Sequence, residues 1–348
     1  MEFYKSEYNL VMIIVFAHFN SPLPKHLTLN LKRTIQLFPQ HEIHLVTNLN
    51  AASIKINKLK IFGYKPNTRW FELESTLSHD REFRNNFWFT SLARFLALAE
   101  FSQTHNREML HIESDVIISH DFPFDDFREI SALFSFPVVN NSMGIASCLY
   151  IKNPEASEYL SKLTISMAKK DSTVTDMHVL GEITKKDSYF FQLLPTSPSL
   201  KSALPSASES HLDSIHKSTL LFNGFFDGRD LGMYLFGDDP RNKRGFSFVR
   251  KFDTRFYLDA SELSFVVNND RDFPYIFDPF KNTLIPIFTL HIHSKNLKLF
   301  NPAGSRKVIR KAISDSKKGP ETKFYPTIFF RSLTQAVKRR LIWFFRAE

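Results

Sequence analysis

The 348-residue chain is 43% hydrophobic and 37 of its residues are Phe, which excludes a wholly disordered protein and points to an interior filled with large rings. A single cysteine, Cys148, excludes an intramolecular disulfide and a cysteine-based metal cage, and it fits the reducing cytosol. Basic residues number 45 against 36 acidic, a formal charge of +9 that attracts anions, and the excess gathers after Lys295, notably at Lys317-Lys318 and Lys338-Arg339-Arg340, so a basic tail accounts for it more simply than a basic cleft.

The apolar run Asn9 to Phe19 follows acidic Glu2 and Glu7 and is short for a membrane span, so it reads as a buried strand, Leu10 to Phe16, and not as a signal peptide. A turn at Asn20-Ser21-Pro22, a helix from about Lys25 to Phe38 and a strand Glu42 to Thr47 follow. This β-α-β opening predicts an α/β fold with a mostly parallel sheet. Asn86 to Phe101 reads as a helix with one apolar side that carries Arg94, and Met109 to Ile112 as a short strand running into Glu113-Ser114-Asp115. Further on, strands are expected near Ala132 to Pro137 and Ala146 to Ile151, then a helix opened by Asn153-Pro154 and reaching about Ala168. Thr196 to His211, rich in Ser and Pro, predicts a mobile loop, and Tyr325 to Phe345 a basic amphipathic helix. No internal repeat is visible, and the length suits two closely packed halves.

Three stretches have the residues for chemistry. Glu113-Ser114-Asp115 places two carboxylates at the end of a buried strand, where loops of an open α/β sheet present ligands, and such a pair can hold a divalent cation and through it a diphosphate. An acidic surface turn is the plainer reading. In Thr289 to Lys295, strand alternation would put His291, His293 and Lys295 on one face, a site for metal and phosphate, with one of the two histidines expected as a ligand; a half-exposed strand with satisfied histidines is the alternative. Phe225 to Asn242 is dense in Asp and Gly, including Asp227, Asp230, Asp238 and Asp239, which suits either hydroxyl recognition or a pair of turns around a short helix.

Taken in order, Asn86-Phe87-Trp88, Arg94-Phe95, Leu110-His111-Ile112-Glu113-Ser114-Asp115-Val116, Phe226-Asp227-Gly228, Leu231 through Asn242, and Leu290-His291-Ile292-His293-Ser294-Lys295 resemble bacterial-type GT-A glycosyltransferases over most of Leu10 to Phe300. The resemblance implies a Rossmann-like mixed, mostly parallel sheet flanked by helices, and transfer of a sugar from a nucleoside-diphosphate sugar to a glycan or lipid-linked acceptor. It also implies Mn2+ or Mg2+ held by the acidic motif and a late histidine. Glu113 departs from the family's Asp-x-Asp pattern, so Asp115 is the expected metal ligand and Glu113 reaches the metal through water or the donor ribose. Lys295 would contact the diphosphate, and Arg94 would either approach it or hold a structural ion pair. Asp227 is the candidate for acceptor activation or sugar positioning, with Asp238 and Asp239 on the acceptor. On this reading residues 1–130 form the nucleotide-sugar half, 131–300 the acceptor half and 301–348 a basic tail. The protein is expected in the cytoplasm, and that tail would either lie on an anionic membrane, peripheral at its inner face, or pack on the body or form a dimer contact. No nucleic-acid partner is expected. The rival classes are a metal-dependent hydrolase or nuclease and a non-catalytic, membrane-associated binding protein.

Overall fold

Four consecutive apolar residues, Ile13 to Phe16, leave no face for water. In the computed structural model, which describes residues 11–196, 206–251, 255–268, 271–279 and 281–346, they lie in an interior strand. The chain divides into two compact units; of the described residues, 11–114, 122–138 and 142–194 form the first and the remainder the second.

In the first unit, β1 (Ile13–His18), α1 (Lys25–Leu37), β2 (Glu42–Thr47), β3 (Lys60–Gly63), α2 (Thr68–Thr76), α3 (Phe87–His105) and β4 (Met109–Ile112) follow one another. Then β5 (Val116–Ile118) departs to the second unit and the chain returns through β6 (Phe134–Phe136); β7 (Val138–Asn140) crosses to the second unit after Val138, and β8 (Met143–Gly144), β9 (Cys148–Ile151), α4 (Pro154–Lys170), α5 (Asp176–Ile183) and β10 (Phe191–Leu193) belong to the first. The seven-stranded sheet has the order β10-β6-β9-β4-β1-β2-β3. Pairings β3-β2, β2-β1, β1-β4 and β6-β10 are parallel, whereas β9 runs antiparallel to both β4 and β6. The sheet is therefore mixed and mostly parallel, flanked by helices, as expected.

Several boundaries differ from the sequence reading for physical reasons. Leu10 lies outside the described residues, and β1 begins at Ile13, where pairing with both Glu42 and Met109 starts. Helix α3 runs on to His105 and is buried around most of its girth, from Ala93 through Ala99, because it packs against α2, α4 and the sheet; a single apolar side was expected. Asn153 caps α4 by accepting from Ala156 N, as its position before Pro154 suggested, and the helix extends to Lys170. Of the Ser/Pro-rich stretch, 197–205 lies outside the described residues, and Ser208 caps α6 (Glu209–Phe222), so its last residues are helical.

Gly181 in α5 shows how closely the first unit is packed, since a Cβ there would stand 1.9 Å from the Ser142 carbonyl oxygen. That atom is backbone and cannot rotate away. Gly181→Ala is expected to destabilise the protein by about 2 kcal/mol or more, read as a lower urea midpoint at unchanged slope; an unchanged midpoint would contradict the packing described.

The second unit is built around β15 (Thr283–His291). With β11 (Phe225–Phe226), β13 (Ser264–Val266) and β14 (Tyr275–Asp278) it forms the order β11-β15-β14-β13, and β5 pairs antiparallel with its last residues. Helix α7 (Asp230–Phe236) follows β11, and β12 (Phe246–Val249) pairs antiparallel with β16 (Glu321–Phe324). The C-terminal region thus contains α8 (Pro302–Ser314) and β16 before α9 (Pro326–Arg346), more structure than a lone tail helix.

Candidate metal and diphosphate site

Topology explains how residues about 180 positions apart meet. Val116, the first residue of β5, pairs with His291, the last of β15, and Ile292 N donates to the Asp115 carbonyl at 2.7 Å. Asp115 is thereby carried to the end of β15. The strand stops at His291, so alternation does not align the three polar residues as expected; a turn does. His293 N donates to His291 O, Lys295 N donates to Ile292 O, and Lys295 takes a left-handed φ of 52°. The two imidazoles stack with centroids 3.8 Å apart, and Lys295 Nζ donates to Asp115 Oδ2.

Asp115, His291 and His293 each offer a ligand atom, and these atoms lie within 4.8 Å of one another. His291 Nδ1 is 2.7 Å from the Gly228 carbonyl oxygen, which can only accept, so Nδ1 bears the proton. His291 Nε2 stands 3.3 Å from Asp115 Oδ2, a contact that the protonated ring makes as a charge-assisted hydrogen bond. His293 Nε2 is buried without a hydrogen-bond partner. Burial, with His291 and Lys295 alongside, holds this imidazole well below its usual pKa, so it presents a lone pair. Burial also opposes the charge on Asp115, but Lys295 and His291 outweigh it and hold the carboxyl well below the ordinary range. A carboxylate and two imidazoles with ligand atoms this close fit a divalent cation, which would stand where the His291 Nε2 proton does.

Asp227 is 1% exposed. Its carboxylate accepts from Leu231 N at 3.1 Å, Gly232 N at 2.8 Å and His291 N at 2.9 Å, and so fastens the first turn of α7 to the end of β15. Burial pushes its carboxyl up, against the effect of these N–H groups. Gly232 makes the approach feasible, since a Cβ there would stand 2.0 Å from His291 O. Asp238 accepts from Phe248 N at 2.6 Å, and Asp239 is held by Arg241; both carboxylates are buried and brace the turn after α7.

Glu113 and Arg94 belong to the first unit. Arg94 Nη1 donates to Glu113 and its Nη2 to Asp176, the first residue of α5, making a buried three-membered ion network. The structure thus brings Asp115, His291, His293 and Lys295 together, and Glu113 with Arg94. Arg241 and the Gly228 carbonyl were given no role from the sequence. The signal for Arg241 was its place two residues after a buried Asp, which only burial makes meaningful.

No protein-family model matches the chain, and no curated protein does. Among solved structures it is similar to mouse xyloside xylosyltransferase 1 (9% identity, covering 53% of this chain and 85% of that one, TM-score 0.38). It is also similar to the galactosyltransferase LgtC in complex with donor and acceptor sugar analogs (13%, 59% and 83%, 0.39) and to the PaToxG glycosyltransferase (9%, 61% and 86%, 0.35). Identities and TM-scores this low leave the functional assignment to the chemistry of the site.

Proposed function

We propose that this chain is a metal-dependent glycosyltransferase that moves a hexose from a nucleoside-diphosphate sugar to a glycan or lipid-linked acceptor. The meeting of Asp115, His291 and His293 with Lys295 supports it most, because it supplies ligands for a dication and an ammonium for a phosphate oxygen. When bound, Mn2+ or Mg2+ supplies neutralisation of the charge that the leaving diphosphate gains. Lys295 binds a diphosphate oxygen. Glu113 serves the donor, at its ribose or through water, and Arg94 orients Glu113 by their ion pair. Asp227 acts as a positioning residue for His291, a reading supported by its burial and by the bond its carboxylate accepts from His291 N. Asp238 and Asp239 serve the acceptor side through the turn they brace. Residues 1–130 supply the nucleotide-sugar half, 131–300 the acceptor half, and 301–348 the basic tail.

The test is nucleoside-diphosphate release from a panel of nucleotide sugars, with Mn2+, Mg2+ or chelator. Metal-dependent release from one donor is expected; no release and no nucleotide binding would overturn the reading in favour of a hydrolase or a binding protein.

We place the protein in the cytoplasm, peripheral at an anionic membrane surface. No described helix is long and apolar enough to cross a membrane. On α9, Phe330, Leu333 and Val337 share one face and are 61%, 52% and 50% exposed, with Lys323 and Arg331 near in sequence. Apolar side chains beside cations suit the interface of anionic lipid. Phe330→Ser with Leu333→Ser is expected to weaken sedimentation with phosphatidylglycerol vesicles by about tenfold or more, since burying each such side chain is worth about 1.5–3 kcal/mol. Equal sedimentation of variant and wild type would remove the membrane from this proposal.

A further inference from the structure

The turn between α7 and β12 uses its acidic residues on itself and offers a cation. Gly237 enters it at φ 84°, where a Cβ would meet Ser247 Oγ at 2.7 Å, so the backbone path admits no side chain there. Asp238 Oδ1 accepts from Phe248 N, and Ser247 Oγ donates to the Asp238 carbonyl at 2.8 Å. Asn242 N donates to Asp239 O at 2.9 Å, and Gly245 N to Pro240 O at 2.7 Å. A loop tied at so many points holds its side chains in one geometry.

Arg241 is what this turn presents. Its backbone N and its Nε donate to Asp239 Oδ1, each at 2.9 Å, and Nη2 donates to Oδ2. The Asp239 side chain is 3% exposed and that of Arg241 47%. One edge of the guanidinium is therefore locked to a buried carboxylate while Nη1 and the outer Nη2 hydrogen stay open. Arg241 also lies close enough to Asp115 for their charges to interact. A planar cation locked to the buried Asp239 carboxylate has lost its rotamer freedom before any ligand arrives, which is the condition for strong bidentate recognition of phosphate or carboxylate.

We infer that Arg241 is a binding residue for an oxyanionic group of the substrate, presented by Asp239. This rests on the sugar-transfer reading and deepens it by requiring a second charged contact beyond that of Lys295. The group is either the donor's diphosphate, which gains negative charge as the C1–O bond breaks and its electron pair stays on the phosphate oxygen, or an acidic group on the acceptor.

The experiment compares wild type, Arg241→Lys and Arg241→Ala by calorimetry with uridine, UMP, UDP and the other nucleoside diphosphates in Mn2+. Transfer from the active donor to p-nitrophenyl glucoside and p-nitrophenyl glucuronide and thermal melting are measured alongside. If the donor is the source, diphosphate affinity falls by about tenfold or more in both variants, while uridine binding and melting stay unchanged. If the acceptor is the source, diphosphate affinity is kept and KM rises for the glucuronide alone. Unchanged binding and transfer, or a uniform loss that includes uridine and accompanies a lower Tm, would overturn the inference. A wild type that binds no nucleotide and releases none from any donor would instead overturn the sugar-transfer reading beneath it.

Discussion

Asp115→Asn is expected to lower metal-dependent donor turnover by at least about a hundredfold, the scale seen when one charge-stabilising group is lost from a catalytic site. Asparagine keeps the shape of aspartate but offers a neutral oxygen, so the two imidazoles lose their anionic co-ligand and Lys295 loses its ion partner. Manganese affinity, measured by calorimetry without donor, should fall with activity. Asp115→Ala should add a stability cost of about 3 kcal/mol, because it strands a partly buried ammonium that now has no carboxylate. Comparing the two variants separates ligand loss from fold loss. Full manganese affinity in Asp115→Asn would remove Asp115 from the metal site.

Asp227→Ala is the second large effect. It removes the acceptor of three buried backbone N–H groups, those of Leu231, Gly232 and His291. Each orphaned donor costs about 1–3 kcal/mol, so a loss of about 3 kcal/mol or more is expected in urea unfolding. Asp227→Asn keeps part of the acceptor set and should cost less. Both variants free the end of β15, so manganese affinity should fall roughly 10- to 100-fold, the range seen when groups that orient metal ligands are removed. A stable Asp227→Asn protein with unchanged manganese affinity but no transfer would return Asp227 to direct work on the acceptor.

The local sequence determined a good deal. The continuous apolar run of β1 and the short, mostly apolar β4 marked buried strands, the β-α-β opening dictated parallel neighbours, and Asn153-Pro154 marked a helix start through cap chemistry that acts within three residues. The carboxylates after β4 and the polar residues after Leu290 stood out because charged groups at the ends of apolar runs must face a loop. Antiparallel β9 and the full burial of α3 were not legible, since both depend on which elements pack against them. Strand alternation suggested the alignment of His291, His293 and Lys295, yet the strand ends at His291 and a turn stacks the rings instead. The contacts of Asp227, Asp239 and Arg241 depend on tertiary structure alone. Sequence shows four acids and several arginines in one stretch, but whether a carboxylate faces substrate or fastens backbone depends on burial and on partners as distant as His291. Those contacts come from chain segments that only the fold brings together.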